Sequence, residues 1–244
     1  MKGLAKHQDA TGQAIYDYFR GHGGYEIVER DGGLVAPSAG PKVYLAPYED
    51  WPAHQQRAIR LARGRVLDVG CGAGRVALHL QSKGHDVVGI DNSPLAIKVC
   101  RLRGVKNARL MSVTQVSQRL GTFDAIVMYG NNFGLFGGFA RARWLLRRFR
   151  RMTNPGARII AESRDPYDTT ERCHLAYHRL NRRRGRMAGQ LRVRIRYKTL
   201  ATPWFDYLLA SKDEIRAIVE GTGWRVERFI EAKGPGYAAV LARV

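Results

Sequence analysis

From residue 65 onward, short apolar runs alternate with segments whose apolar residues recur at helical spacing. Five runs read as strands in order: "RVLDVG", "HDVVGID", the weaker "ARLMSV", "FDAIVMY" and "GARIIAES". Between them lie helical patterns. "AGRVALHLQSKG" ends at Gly84, and "SPLAIKVCRLRG" opens with Ser93 as N-cap and Pro94 at the first helical position. In "FARARWLLRRFRRM", residues Ala142, Leu145, Leu146, Phe149 and Met152 fall on one stripe. Strands alternating with helices of this length predict parallel βαβ units and a doubly wound α/β sheet.

Both ends of the chain depart from this alternation. Residues 9–20 pattern as a short amphipathic helix, with Asp9 or Thr11 as cap and Ile15, Tyr18 and Phe19 on one face. "YEIVERDGGLV" reads as a hairpin, because Asp31-Gly32-Gly33 suits a tight turn. The Pro-rich "APSAGPKVYLAPYEDWP" is expected to be loop, and regular patterning resumes at "HQQRAIRLAR". Near the other end "GQLRVRIRYK" has strict period two, and "SKDE" at 211–214 is a capping box. "WRVERFIE" and "YAAVLARV" flank "AKGPG" and predict an antiparallel hairpin. The expected fold is a mostly parallel seven-stranded sheet with an antiparallel C-terminal edge hairpin. Residues 1–54 form an N-terminal helix/hairpin extension to the domain at 55–244. Within that domain, residues 165–206 are too long for a simple connection and read as a cap inserted after strand five.

Composition narrows the class. A chain of 244 residues with 45% hydrophobic content can bury a sizeable core. "MKGLAKHQDATGQAIYDYF" has no apolar stretch long enough for a signal peptide, and no run approaches a transmembrane span, so a cytoplasmic protein away from membranes is expected. Three scattered cysteines, Cys71, Cys100 and Cys173, argue against a disulfide framework or a zinc site. The net charge of +20 is concentrated: between Phe139 and Leu200 there are 18 Lys or Arg against 4 Asp or Glu. Such a field attracts polyanions or acidic ligands. Arginine outnumbers lysine 32 to 9, a bias that genome composition or heat adaptation also produces.

The chemistry is concentrated at "VLDVGCGAGRVALHL". Asp68 ends the first strand, and Gly70, Gly72 and Gly74 then open a helix. Glycines there let backbone N–H groups approach a ligand closely. A dinucleotide loop has the spacing G-x-G-x-x-G, whereas here the third glycine comes one place early. An acid immediately before the loop also suits a cationic ligand better than a pyrophosphate. Asp91 ends the second strand, where a carboxylate can accept both hydroxyls of a ribose.

These residues resemble the class I, Rossmann-like, S-adenosylmethionine-dependent methyltransferases. The resemblance is strong over residues 55–165 and weaker over the C-terminal hairpin. It implies that Asp68, Gly70, Cys71, Gly72 and Gly74 wrap the methionine part of S-adenosyl-L-methionine, and that Asp91 and Asn92 hold the ribose. It also implies that Ser112 and Val113 meet the adenine and that Tyr129 borders the cofactor. Many members carry an aspartate after the third strand, where this chain has only Ser112, so the Val113 backbone is left to meet the adenine amine. The implied product is S-adenosyl-L-homocysteine, and no metal is implied. Aminopropyl transferases share the fold and a similar loop. A non-catalytic binding protein that retains the fold is a further alternative.

Methyl transfer from a sulfonium is an in-line displacement, so it needs alignment, exclusion of water and, for some acceptors, removal of a proton. Acceptor-facing residues should follow strands four and five, in "YGNNFGLF" and "ESRDPYD". Asn131 and Asn132 are candidate acceptor ligands. The N/D-P-P-Y/F sequence of base N-methylating relatives is absent. His174 and His178, four apart, are candidate bases, or ordinary cap histidines. Arg192, Arg194, Arg196 and Lys198 line one strand face at intervals of about 7 Å, which matches a phosphate backbone, with Arg182, Arg183 and Arg184 nearby. The expected substrate is a small polar or anionic metabolite, with RNA as the alternative partner of that basic face. The oligomeric state is not legible.

Overall fold

The computed structural model describes residues 3–244; Met1 and Lys2, at the head of the predicted extension, lie outside the described residues. Helix α1 (Ala10–Phe19) starts at Asp9, whose carboxylate accepts from the Gly12 N–H at 3.1 Å. Strands β1 (Ile27–Arg30) and β2 (Val35–Pro37) make the predicted hairpin. The Pro-rich segment, expected to be loop, contains a short helix, α2 (Pro41–Leu45). Pro41 starts it, because the first helical position needs no N–H donor.

Helix α3 (Ala53–Ile59) then leads into the alternating part of the chain: β3 (Arg65–Val69), α4 (Arg75–Ser82), β4 (Asp86–Asp91), α5 (Pro94–Leu102), β5 (Ala108–Leu110), β6 (Phe123–Met128), α6 (Phe139–Arg151) and β7 (Thr153–Arg164). The chain continues through α7 (Arg172–Arg183), β8 (Gln190–Tyr197), β9 (Leu200–Ala201), β10 (Phe205–Leu208), α8 (Lys212–Val219), β11 (Trp224–Glu231) and β12 (Gly236–Arg243).

The main sheet has the order β11-β12-β7-β6-β3-β4-β5. Strands β3 to β7 pair in parallel, and the hairpin β11–β12 adds an antiparallel edge through β12 and β7. Successive residues of a strand face opposite sides, so burial of both faces requires continuous apolar runs. Leu67, Ile126 and Met128 pack with Leu145, Leu146 and Phe149 of α6 and Ile215 and Ile218 of α8. Val66, Ala125 and Val127 face the other way, onto Ala58 and Ile59 of α3 and Val76, Ala77 and Leu80 of α4. Each of the larger side chains contributes about 1.5–3 kcal/mol on burial.

Helix α6 buries its predicted stripe completely, and several of its arginines end on backbone carbonyls. The Arg143 guanidinium donates to the carbonyls of Ala217, Ile218 and Glu220, at the C-terminal end of α8. Arg148 reaches Val116 and Arg150 reaches Val244 in the same way. Cations at a helix C-terminus satisfy carbonyls that lack an intrahelical partner.

A second, antiparallel sheet runs β10-β8-β1-β2, with β9 on β8. Its strands come from the predicted extension and from the predicted cap, joined by the β1–β8 register that pairs Val28 with Ile195. Within this sheet the basic ladder meets carboxylates. Arg194 makes two hydrogen bonds to Glu29, at 2.8 and 3.0 Å, and Arg196 approaches the same carboxylate at 3.5 Å. Arg192 pairs with Asp206 at 3.5 Å and Lys198 with Asp17 at 2.6 Å. No helix among the described residues is long and apolar enough to cross a membrane.

Candidate cofactor and acceptor site

The site forms at the carboxyl ends of the parallel strands, where the chain after β3 turns sharply. Gly70, Gly72 and Gly74 have φ values of 72°, 52° and 81°, in the left-handed region that side chains disfavour. The turn is fixed to the end of β4: Gly70 and Cys71 donate to the Ile90 carbonyl at 2.9 and 3.0 Å, and Gly72 donates to Asp91 Oδ2 at 3.0 Å. Asp91 Oδ1 accepts from the Ser93 N–H at 2.9 Å. The Cys71 thiol lies in the core, 4.0 Å from the Cys100 thiol, which leaves the Cys71 backbone to line the turn.

Asp68 is 1% exposed and its Oδ2 has no hydrogen-bond partner. Burial pushes its carboxyl up to about 7; the Arg75 guanidinium opposes this and the Asp91 carboxylate adds to it. A buried carboxylate with a free oxygen beside a glycine cradle suits a cationic group such as the ammonium of S-adenosyl-L-methionine. The donor set fits that cofactor.

The remaining predicted cofactor residues are placed as follows. The Asn92 carbonyl accepts from the Leu4 N–H at 2.9 Å, which ties the N-terminal segment to the end of β4. Ser112 caps a single turn at Val113–Gln115, with its hydroxyl taken by Thr114. Tyr129 is buried and donates to the Gln55 carbonyl at 2.8 Å, with its ring edge-on to Trp51.

The loop after β6 is organised by a residue that the sequence reading included in the segment "ESRDPYD" but did not single out. Glu162, near the end of β7, is 5% exposed and accepts four hydrogen bonds. Its Oε1 takes His54 Nε2 at 2.6 Å and Gln55 Nε2 at 2.8 Å. Its Oε2 takes the backbone N–H groups of Gly130 at 2.6 Å and Asn131 at 3.3 Å. These two residues have consecutive positive φ values, 74° and 60°, a conformation that turns successive N–H groups toward one anion. Burial raises the Glu162 carboxyl, but hydrogen bonds from His54, Gln55 and Gly130 outweigh it and hold the group below its ordinary range. Gln55 passes the network on, accepting from Arg75 at 2.9 Å, and the Arg75 guanidinium stacks over Trp51. The only sequence signal was a polar "ES" ending an apolar strand.

The two asparagines separate. Asn132 turns its amide toward the cofactor loop and donates to the Val69 and Gly70 carbonyls, both at 3.0 Å. The Asn131 carbonyl accepts from the Tyr207 hydroxyl at 2.6 Å, and that tyrosine comes from β10 of the second sheet. Gly134 lies against the same ring, where no Cβ would fit. His174 and His178 lie on α7. His174 meets Arg30 at 3.1 Å, and the His178 ring stands edge-on to Tyr167. Burial lowers both imidazoles below the ordinary value. Arg184 approaches Asp31 at 3.7 Å and Arg182 lies over Tyr167, while Arg183 is exposed. Among the described residues, no group of three or more His, Cys, Asp or Glu is placed to hold a metal.

Sheet order, glycine cradle and paired strand-end acids together define a class: the chain carries a class I S-adenosylmethionine-dependent methyltransferase domain, whose cofactor is S-adenosyl-L-methionine. Residues 66–156 match the methyltransferase domain family. A solved S-adenosylmethionine-dependent methyltransferase from Bacteroides fragilis, in complex with S-adenosyl-L-homocysteine, superposes over 100% of this chain and 98% of its own, with a TM-score of 0.85 and 28% identity. The ubiquinone biosynthesis O-methyltransferase of Xanthomonas oryzae pv. oryzae is 39% identical over 74 residues, which are 28% of this chain and 31% of that protein. The putative methyltransferase YqeM of Bacillus subtilis is 29% identical over 87 residues, 34% of this chain and 35% of that protein. The chain thus spans about a third of the length of the curated relatives it matches.

Proposed function

We propose that the protein transfers a methyl group from S-adenosyl-L-methionine to a small polar acceptor held between the loop after β6 and the second sheet. The cofactor supplies an electrophilic methyl on a sulfonium. The chain supplies alignment: Asp91 and the glycine turn hold one side, and Glu162 fixes the Gly130 and Asn131 backbone on the other.

The observation that carries this reading is the hydrogen bond from Tyr207 to the Asn131 carbonyl, 2.6 Å long. It brings a strand of the second sheet onto the loop where the acceptor belongs, which favours a covered site for a small molecule over an open groove. The carboxylate partners of the β8 ladder support the same choice, because three carboxylates, Glu29 and Asp206 of the sheet and Asp17 of α1, already face its four cations. The relative named as an O-methyltransferase adds that oxygen acceptors occur among similar proteins.

Calorimetric titration with S-adenosyl-L-methionine, followed by detection of S-adenosyl-L-homocysteine released in the presence of a small-molecule panel, tests the reading. Failure to bind the cofactor overturns it. Turnover with RNA but with no small molecule overturns the substrate assignment alone.

A further inference from the structure

A cavity of about 310 Å³ lies against α4, between the turn at Tyr48–Asp50 and Arg103 at the end of α5. That volume falls within the small-molecule range of about 300–1,000 Å³. Its lining includes neither Asp68 nor Asp91 nor any residue of the loop after β6, so it is separate from the site described above. One wall is already rigid. The Tyr48 and His79 rings stack 4.1 Å apart with 7° between their planes, and Trp51 packs on both at 5.4 and 5.3 Å.

The rest of the lining is cationic. Arg75, Lys83 and Arg103 face the cavity together with a single carboxylate, Glu49. Among the described residues, none of these three cations takes part in an ion pair. The β8 ladder is the contrast, since carboxylates stand against each of its cations. Arg75 is 9% exposed and is fixed by Gln55 at 2.9 Å and by the face of Trp51. Arg103 donates to the carbonyls of Ala73 at 2.7 Å and Leu45 at 3.2 Å, which leaves the guanidinium further donors. The cavity thus holds an excess of two positive charges on one concave surface. Such a surface concentrates anions, and a doubly charged one cancels the excess.

We propose that this cavity is an effector site for a small dianion, a phosphate monoester or a dicarboxylate, whose binding tightens the hold of the glycine turn on the cofactor. The two arginines carry the coupling. Ala73 lies between Gly72 and Gly74, and Arg75 directly follows the turn as the first residue of α4. An anion on the remaining donors of Arg103 leaves its bond to Ala73 in place and removes the repulsion among the three cations. Both effects stiffen the turn, so less ordering remains for the cofactor to impose. The site makes no use of the methyl acceptor, and its occupation is measurable without one.

The test is calorimetric titration of glycerol 2-phosphate, of succinate and of acetate, a singly charged control, into the ligand-free protein at constant ionic strength. At least one dianion should bind with a Kd on the order of 1 mM, roughly tenfold more tightly than acetate, and the stronger of the two identifies the headgroup. Lys83→Ala removes an exposed cation of the cavity and should weaken that dianion by roughly tenfold. Lys106→Ala, an exposed cation outside the cavity, should bind it as the wild type does. Saturating dianion should tighten S-adenosyl-L-homocysteine binding by roughly fivefold, and the reverse titration should show the same factor. Neither dianion binding more tightly than acetate, or equal weakening by the two lysine variants, overturns the proposal. So does S-adenosyl-L-homocysteine affinity that is unchanged by saturating dianion. Absence of S-adenosyl-L-homocysteine binding to the ligand-free protein is a different failure, that of the methyltransferase reading.

Discussion

The Asn132 side chain donates to the Gly70 carbonyl at 3.0 Å, and so ties the loop after β6 to the cofactor turn after β3. The same amide reaches Val69, so both of its hydrogens are engaged. Asn132→Ala should cost about 1–3 kcal/mol of stability, by leaving two backbone carbonyls short of a donor. It should also weaken S-adenosyl-L-homocysteine binding by roughly tenfold. Calorimetry with a parallel melting curve checks both effects, and unchanged affinity would show that the turn holds its shape unaided.

Asn131 is expected to behave differently, because its side chain is not engaged with the cofactor turn. Its φ of 60° makes Ala a strained replacement, by about 1–2 kcal/mol, whereas Gly removes the amide without that cost. Asn131→Gly should therefore reduce turnover while cofactor affinity stays within about twofold. Simultaneous loss of both would make the residue a structural one.

Glu162 gathers four donors from two other parts of the chain, His54 and Gln55 of α3 and Gly130 and Asn131 after β6. Glu162→Gln replaces one acceptor oxygen by an amide that faces donors, and should destabilise the fold by about 3 kcal/mol. For a chain of this size that lowers the melting temperature by roughly 6–12 °C. The wild-type carboxyl is held below its ordinary 4.5 in the folded state. Its stabilisation is thus complete above that value and is lost as pH falls through the lower folded value. Acid unfolding curves of wild type and variant should converge below pH 4.5.

Asp68 works in the opposite direction. Its folded carboxyl is raised from 3.8 to about 7, so between those values the folded protein keeps a proton that the unfolded chain has released. In that window, stability of the ligand-free protein falls as pH rises. A bound ammonium favours the ionised form, so S-adenosyl-L-homocysteine affinity should tighten as pH rises through about 7. Asp68→Asn should bind more weakly and flatten this profile over pH 6–8, a range chosen roughly one unit either side of that value. A wild-type profile that is already flat would remove Asp68 from the ammonium site.

Arg194, Arg196, Arg192 and Lys198 have carboxylate partners, so the strand face presents less free charge than its sequence suggests. Binding of bulk transfer RNA at physiological salt should be no tighter than the non-specific range of about 10⁻⁴–10⁻⁶ M. Tighter binding, lost steeply on adding salt, would restore RNA as the substrate class.

Local pattern carried most of the main sheet. The apolar runs at 65–69 and 123–128 are buried on both faces and therefore announce themselves without context, and the stripe of Ala142, Leu145, Leu146 and Phe149 specifies the buried face of α6. The glycine turn was equally legible, because the positive φ values it needs restrict it to glycine. Helix α2 was missed because two prolines and a glycine dominate its neighbourhood, although Pro41 sits where a helix accepts it.

Sequence alone determined the α/β class and the glycine turn after β3, since both depend on residues close together in the chain. Only the tertiary structure decided what surrounds the loop after β6. Glu162 meets His54 across 108 positions, and Glu29 takes the charge of Arg194 across 165. Tyr207 reaches Asn131 across 76 positions, and that contact brings two separate sequence segments together. A hydrogen bond between residues so far apart leaves no periodicity in the chain, because its geometry exists only once both sheets are assembled.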